Sequence, residues 1–220
     1  MQRTHAVLIG LAAAGLMLST HASARRLTVN AQDNIYGVGQ SSAPGGGNVP
    51  TAVMGVAAGN CITFPKVTGS LTCSSRRGCI TLNGGGNLND PDGTGAAPAT
   101  SSNTGAGSIS GITAPNAGYL VGLFTKAAGP SGTAPASLDF TSIGTNFTSL
   151  SPKLNQTFFI GDGHTGDNSG AVQQFTAPPG ARRLWLAISD ACNYNGAPGC
   201  YGDNSGTYTV TVLRQKTTCP

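Results

Sequence analysis

Hydrophobic and polar residues follow short local patterns along this chain, and no long helical period is present. Some stretches alternate with a period of two, and others are brief apolar runs bounded by Gly, Pro or Asn, which is typical of β-strands. These stretches are residues 27–31, 61–69, 79–82, 119–124, 157–160, 172–176, 184–188 and 207–212. They predict an all-β domain, a β-sandwich or jelly roll of about eight to ten short strands joined by long Gly-rich loops.

The composition agrees with this fold class. Only 9% of the residues are charged, Gly occurs 33 times, and all eight acidic residues are Asp. Strong helix formers other than Ala are scarce, whereas Thr, Ser, Asn and Gly are abundant. The formal net charge of +4 is small and its positive residues are scattered, which argues against nucleic acid as a partner.

The first 24 residues have the features of a secretory signal peptide. A positive residue, Arg3, precedes an apolar run over residues 6–18, and Ala22-Ser23-Ala24 is a small-x-small cleavage sequence. That run is too short to span a bilayer, and no later segment is apolar enough to do so. The pattern predicts an extracellular or periplasmic protein in which residues 25–220 form a single domain. Within it, the Ser/Thr/Ala/Asn/Gly-rich segment 96–107 is predicted to be a flexible loop.

Six cysteines, all after the predicted signal peptide, are consistent with an exported, disulfide-bonded chain. They allow 15 pairings, and sequence alone does not choose among them. Closure of short loops favours Cys192–Cys200 and Cys73–Cys79, which leaves Cys61–Cys219. The cysteine and histidine spacings do not fit a zinc site.

The loop from Ser189 to Gly206 is dense in oxygen donors and lies between two predicted strands. It contains the carboxylates of Asp190 and Asp203 and the amide of Asn204. Ca²⁺ takes six to eight oxygen ligands in a flexible arrangement, and this loop offers several of them. The alternative is a turn-rich hairpin in which Asp, Asn and Gly serve only the turn.

The segment Pro198-Gly-Cys-Tyr-Gly-Asp-Asn-Ser-Gly206, followed by an alternating strand, resembles the calcium loop of the PA-I type galactophilic lectins. The resemblance covers residues 172–212. It implies a β-sandwich in which two sugar hydroxyls complete the coordination of a bound Ca²⁺. The metal ligands that it implies are the side chains of Asp190, Asp203 and Asn204 and the backbone carbonyls of Cys200 and Cys73.

The same resemblance implies further sugar contacts. Asp90-Pro91-Asp92 matches a residue-Pro-Asp stretch that touches the sugar in this family, with Asp90 at the position of a His. Apart from the resemblance, an aromatic residue of the loop such as Tyr194 is expected to stack on the apolar face of the sugar. The alternative for the Asp-Pro-Asp stretch is a solvent loop with Asx and Pro turns. About six extra residues, 191–196, depart from the family pattern and put the transfer of galactose specificity in question.

A second loop, Gly161–Gly170, repeats the Gly-Asp-Asn-Ser-Gly string of residues 202–206. Asp162, Asp167 and Asn168 form a candidate second cation cluster there. Shared turn chemistry is the preferred interpretation, because the sequence assigns no third carboxylate to this loop.

Catalysis is not indicated. His164 is the only histidine after the predicted signal peptide, and it lies in a Gly-rich loop without a Gly-x-Ser-x-Gly elbow. The function expected from the sequence is therefore secreted, calcium-dependent binding of galactose-containing glycans, with weak single-site affinity raised by multivalency such as a homo-oligomer provides. The alternatives are a structural or envelope β-sandwich in which Ca²⁺ only stiffens a loop, and a non-catalytic adhesion module of a larger system.

Overall fold

The computed structural model describes residues 22–72, 89–93, 100–167 and 169–220. About 48% of the described residues are in strands and 7% are helical, which confirms the predicted all-β class. The strands are numbered here in chain order. They are β1 Ser23–Asn30, β2 Val53–Gly55, β3 Cys61–Thr72, β4 Ser101–Ala106, β5 Ile109–Ala114, β6 Leu120–Thr125, β7 Leu138–Asp139, β8 Ser149–Leu150, β9 Thr157–Phe159, β10 His164–Gly166, β11 Ser169–Val172, β12 Gln174–Thr176, β13 Arg183–Ile188, β14 Asn195–Gly196 and β15 Ser205–Gln215.

The helical residues form short turns between the strands. One four-residue α-helix, α1, spans Phe140–Ile143, and 3-10 turns span Ile35–Gly37, Cys192–Tyr194 and Tyr201–Asp203. The fifteen strands in the described residues exceed the eight to ten predicted, because several pairings involve only two or three residues. Such short pairings leave no recognisable period in the sequence.

The strands are arranged in three main sheets. The first has the order β1-β15-β3-β12-β8, the second β2-β13-β6-β9, and the third β14-β4-β5-β7, while β10 and β11 form a separate two-stranded ribbon. The long strands of the first sheet pair antiparallel, with Thr211 of β15 opposite Arg26 on one side and Lys66 on the other.

The second sheet is the central layer, because its residues alternate between two cores. Leu184, Leu186 and Ile188 of β13 belong to the core shared with the first sheet. Trp185 and Ala187 face the other way and pack in a second core with residues of β5 and α1. The run Leu184–Ile188 is therefore apolar throughout because both faces of its sheet are covered.

Aromatic rings fill the core between the first and second sheets. Phe64, Phe124, Phe158 and Phe175 are essentially inaccessible to solvent. Their rings are in contact, with centroids 5.2 Å apart for Phe124 and Phe158 and 5.3 Å apart for Phe158 and Phe175. This packing gives the loops at the sheet ends a rigid support.

The third sheet contains a segment that composition alone misassigned. Ser101–Ala106 form β4, so this part of the 96–107 segment is a strand rather than the predicted flexible loop. It pairs with β5 in antiparallel register from Ser101 opposite Ala114 to Ala106 opposite Ile109. The Ser101 hydroxyl also lies 3.1 Å from the Tyr119 hydroxyl in the interior. Pairing and burial outweigh the low β-propensity of its Ser, Asn and Gly residues. Residues 96–99 lie outside the described residues.

Two of the predicted disulfides are present. Cys61 is bonded to Cys219, which ties the end of the chain to the start of β3, and Cys192 is bonded to Cys200 within the oxygen-rich loop. The predicted pair Cys73–Cys79 lies outside the described residues.

The N-terminal end of the chain is only partly described. Strand β1 begins at Ser23, two residues before the start of the predicted mature chain, and Ser23 is opposite Arg214 of β15. Most of the predicted signal peptide, residues 1–21, lies outside the described residues. Among the helices that the structure describes, none has the length and apolar character needed to cross a bilayer.

Candidate functional site

The central strand β13 carries the chain directly into the oxygen-rich loop, and Asp190 is the second residue after it. Its side chain is only 7% exposed. The two carboxylate oxygens accept hydrogen bonds from the backbone N–H of Ala191 at 2.8 Å and from Nδ2 of Asn204 at 2.9 Å. The Asp190 N–H donates to the buried Tyr201 hydroxyl at 2.8 Å. Hydrogen bonds with residues at the start and at the end of the loop thus fix the position of Asp190.

Burial makes the negative charge of Asp190 costly. It raises the pKa of this carboxyl to about 7, hydrogen bonds from Asn204 and Ala191 oppose the rise, and the charge of Asp203 adds to it. A bound cation would reverse this balance, because it favours the ionised carboxylate.

Two more hydrogen-bond acceptors of the same loop are buried without a donor among the described residues. Within the described part of the chain, Oδ1 of Asp203 and Oδ1 of Asn204 are inaccessible and have no hydrogen-bond partner. Nδ2 of Asn204 is fully used, because it donates to Asp190 and to the carbonyl of Ala31 at 3.1 Å. An unsatisfied buried acceptor costs about 1–3 kcal/mol. Oxygens of this kind beside two carboxylates are the donor set that Ca²⁺ prefers, so the residues present fit the ion.

Cys200 and Tyr194 lie in unusual backbone conformations within the loop. Asn193, Tyr194 and Cys200 have φ values of 56°, 62° and 64°. Non-glycine residues rarely adopt this left-handed region, and it is commonest where surrounding structure enforces it at functional sites. The Cys192–Cys200 disulfide is one such constraint.

Tyr194 lies close to the same carboxylates. Partial burial raises the pKa of its hydroxyl, and the charges of Asp190 and Asp203 raise it further. The structure therefore places Asp190, Asp203, Asn204 and Tyr194 near one another. Their roles as metal and sugar ligands stay predictions. Cys73, the distant carbonyl ligand implied by the resemblance, lies outside the described residues.

The extra segment 191–196 joins the loop to the third sheet. Strand β14, Asn195–Gly196, pairs in parallel with Ser102 and Asn103 of β4. Nδ2 of Asn103 donates to the carbonyl of Asp190 at 2.6 Å, and its Oδ1 accepts from the N–H of Gly105 at 2.9 Å. Strand β4 and the segment 191–196 thus contact each other beside the oxygen-rich loop. Asn103 carries no sequence signal for this role, because its partner is 87 residues away.

Replacing Asn103 with alanine is expected to loosen the loop. The change leaves the N–H of Gly105 without its buried acceptor and removes one of the bonds that hold Asp190, so it should destabilise the protein by about 1–3 kcal/mol. It should also weaken Ca²⁺ binding, measured by titration calorimetry. Ser102→Ala is the matched control, since its hydroxyl bonds Thr113 on the same sheet. Equal Ca²⁺ affinity in both variants would contradict a positioning role for Asn103.

A Gly-rich segment in the N-terminal half of the chain, residues 45–47, packs against the oxygen-rich loop. Nδ2 of Asn34 donates to the carbonyls of Pro44 and Gly46 and shapes this segment. Gly45 has φ of +74°, and a Cβ there would collide with the carbonyl of Pro198. The close approach of the two segments requires glycine at this position.

The Asp-Pro-Asp stretch is placed at a different cluster. The Tyr208 hydroxyl donates to the carbonyl of Asp90 at 2.6 Å, and the carbonyl of Pro91 accepts from the N–H of Leu120 at 3.0 Å. Oδ1 of Asp92 accepts from the N–H of Asp162 at 2.8 Å. The predicted sugar contacts of Asp90 and Pro91 stay predictions.

Asp92 supplies the third carboxylate that the sequence did not assign to the second loop. Oxygens of Asp92, Asp162 and Asp167 lie within 4.8 Å of one another. Burial raises the pKa of Asp92 to about 7, the hydrogen bond from Asp162 opposes the rise, and the charges of Asp162, Asp90 and Asp167 add to it. The predicted partner Asn168 lies outside the described residues. No sequence signal joins Asp92 to this loop, because the contact spans 70 residues.

His164 is a neighbour of that cluster. Its backbone N–H donates to Oδ1 of Asp162 at 2.7 Å, and its Nδ1 lies 3.2 Å from the carbonyl of Asp162. A cleft of about 310 Å³ borders His164, Asp162 and Lys66. These contacts order the turn at residues 161–164. Shared turn chemistry for the Gly-Asp-Asn-Ser-Gly string stays a prediction.

Comparisons of the chain with protein-family models, with curated proteins and with solved structures found no match. The chemistry of the site therefore rests on its own residues.

Proposed function

We propose that the protein binds galactose-containing glycans through a Ca²⁺ ion held in the loop between β13 and β15. The observation that carries the proposal is the pair of buried acceptors without hydrogen-bond partners among the described residues, Oδ1 of Asp203 and Oδ1 of Asn204, beside the carboxylate of Asp190.

The ligands would come from one loop and from one residue distant in sequence. Asp190 and Asp203 provide the negative charge, and Asn204 provides a neutral oxygen. The carbonyl of Cys200 is the backbone ligand that the lectin resemblance implies, and the Cys73 carbonyl is the distant one. When bound, Ca²⁺ would accept two sugar hydroxyls as its remaining ligands.

The residues of the chain would orient the sugar. Carboxylate oxygens of Asp190 and Asp203 accept hydrogen bonds from sugar hydroxyls, and each retains lone pairs for this purpose. Tyr194, half-buried near both carboxylates, offers an aromatic face for the apolar side of a pyranose ring. A shallow site of this kind gives weak single-site binding, which several copies on one particle or a homo-oligomer would strengthen.

The second candidate function is a cation site that stabilises the loop without binding sugar. It is favoured by the burial of Asp190 and Asn204, which are 7% and 2% exposed and therefore offer little surface to a ligand. The two functions differ only in whether sugar adds to the effect of the ion.

Export of the protein is part of the proposal. The disulfides Cys61–Cys219 and Cys192–Cys200 persist in oxidising compartments, which suits an extracellular or periplasmic protein. The predicted signal peptide supports the same location.

Thermal unfolding tests the proposal. The melting temperature of the oxidised protein would be measured in EDTA, in Ca²⁺, and in Ca²⁺ with a galactoside. A ligand at about 100 times its Kd adds about 2.7 kcal/mol, or roughly 5–10 °C for a chain of this size. Ca²⁺ is expected to raise the melting temperature and the galactoside to raise it further. A rise with Ca²⁺ alone would support the structural cation site.

Two matched variants separate the two carboxylate clusters. Asp203→Ala is expected to remove the shifts caused by Ca²⁺ and by galactoside, while Asp92→Ala should retain both. Loss of the shifts in Asp92→Ala and their persistence in Asp203→Ala would move the functional ion to the Asp92 cluster and contradict the proposal.

A further inference from the structure

A polar cleft adjoins the proposed cation loop on the side of β1. It lies between the end of β1 and the start of β15 and has a volume of about 280 Å³. Its side chains are carboxamides and one hydroxyl, those of Asn30, Gln32, Asn48, Asn204 and Ser205. The sequence analysis assigned no role to the first three.

Hydrogen bonds join the cleft to the proposed cation loop, the loop between β13 and β15. Nε2 of Gln32 donates to the carbonyl of Asn204 at 3.1 Å, and Nδ2 of Asn204 donates back to the carbonyl of Ala31 at 3.1 Å. The N–H of Ala31 also donates to the carbonyl of Gly206 at 3.0 Å. Asn204 belongs to both features, because its Nδ2 also bonds Asp190. A ligand held at the cation site and extended past Asn204 would enter this cleft.

A buried carboxylate anchors the backbone beside the cleft. Asp33 is only 2% exposed, and its Oδ2 accepts from the backbone N–H of Asn30 at 2.9 Å. Burial raises the pKa of Asp33, and hydrogen bonds from Asn30 and from the side chain of Asn48 oppose the rise. Asn30 and Asn48 are themselves exposed, so their amides are accessible to a ligand from solvent.

The chemistry of these side chains selects a neutral, hydroxyl-rich ligand. A carboxamide offers donors and an acceptor together, which matches a sugar hydroxyl that both donates and accepts. Among the described residues, none of those lining the cleft is charged, and the neighbouring buried carboxylates of Asp33 and Asp190 disfavour an anion. We infer that this cleft binds a second, neutral sugar unit of a glycan whose terminal unit is held at the cation loop, an inference that rests on the proposed function.

Side-chain amide resonances of the ¹⁵N-labelled protein test the cleft directly, with assignments from single substitutions. In Ca²⁺, methyl galactoside is expected to shift the resonance of Asn204 and to leave that of Asn48 unchanged. A neutral disaccharide or trisaccharide with terminal galactose should shift both. If methyl galactoside does not shift Asn204 but the oligosaccharide still shifts Asn48, the cation proposal fails and the cleft alone binds sugar. If the monosaccharide binds and no oligosaccharide shifts Asn48, the cleft proposal is overturned and the cation proposal survives.

Affinities measured by calorimetry complete the test. Asn48→Ala should lower the affinity for the oligosaccharide about fivefold relative to that for the monosaccharide, the loss of roughly one hydrogen bond. The matched control is Asn146→Ala, an exposed asparagine outside the cleft, which should leave this ratio unchanged. A sulfated form of the same oligosaccharide should bind no more tightly than the monosaccharide does. An unchanged ratio in Asn48→Ala, or preference for the sulfated form, would refute a neutral sugar subsite.

Discussion

Replacing Asp190 with asparagine is expected to abolish stabilisation by Ca²⁺ and to make the cation-free protein more stable at pH 8. Burial raises the pKa of this carboxyl from 3.8 to about 7, which corresponds to about 4 kcal/mol for the ionised form. Asparagine carries no charge but can accept only one of the two hydrogen bonds from Ala191 and Asn204, which costs about 1 kcal/mol. The net gain at pH 8 should therefore be about 3 kcal/mol.

The sign of the pH dependence follows from the raised pKa. Between pH 4 and pH 7 the folded state binds more protons at Asp190 than the unfolded state does, so the stability of the cation-free protein falls as the pH rises through about 7. Asp92, whose pKa is also raised to about 7, contributes in the same direction. Comparing the Asp190→Asn variant with the unchanged protein isolates the contribution of Asp190 to the pH dependence of stability.

Urea unfolding at pH 5 and pH 8, with EDTA or with Ca²⁺, measures these effects. Ca²⁺ should raise the free energy of unfolding of the unchanged protein more at pH 8 than at pH 5, because protons compete with the ion for Asp190. Ca²⁺ should leave the free energy of unfolding of the variant unchanged at both pH values. A variant that Ca²⁺ still stabilises would show that Asp190 is not a ligand.

Removal of the Cys61–Cys219 disulfide is expected to cost about 5 kcal/mol of stability in the loop-entropy description, because the closed loop spans 158 residues. The melting temperature of a Cys61→Ser/Cys219→Ser variant should fall by about 10–20 °C. Below its melting temperature, this variant should bind Ca²⁺ with unchanged affinity, since the bond joins the chain end to β3 away from the oxygen-rich loop.

The second disulfide provides the matched comparison. Cys192 and Cys200 are only eight residues apart, so their removal should cost about 2.5 kcal/mol by the same description. Ca²⁺ affinity should nevertheless fall in this variant, because Cys200 loses the constraint on its left-handed backbone. Scanning calorimetry gives the stabilities and titration calorimetry the affinities. A larger loss of Ca²⁺ affinity on removal of Cys61–Cys219 than on removal of Cys192–Cys200 would contradict this assignment, in which only Cys192–Cys200 shapes the ion-binding loop.

The sequence predicted those features that depend on local pattern. Leu184–Ile188 and Thr207–Val212 were recognised as strands because apolar runs and alternation are visible within a few residues. Asp190 and Asn204 were grouped because they lie in one oxygen-rich loop between two predicted strands and because the lectin resemblance implies both as ligands. Loop closure alone favoured Cys192–Cys200, and the structure confirms it.

Features that depend on distant contacts were not predictable. Asp92 meets Asp162 across 70 residues, and Asn103 meets Asp190 across 87. Ser101–Ala106 has the composition of a loop and becomes a strand only because β5 and β14 supply partners on either side. Single-sequence reasoning has no access to such pairings, which tertiary packing selects.

The three-layered arrangement makes the central strands dependent on the third sheet for their solubility. In a two-layered sandwich, every second residue of β6 and β13 would meet water, and polar residues would be tolerated at Val121, Leu123 and Trp185. Here those positions pack in the second core with Ile109 and Ile112 of β5. A shortened chain that lacked the third sheet but kept these apolar residues would be insoluble or would pair with another chain through the exposed face.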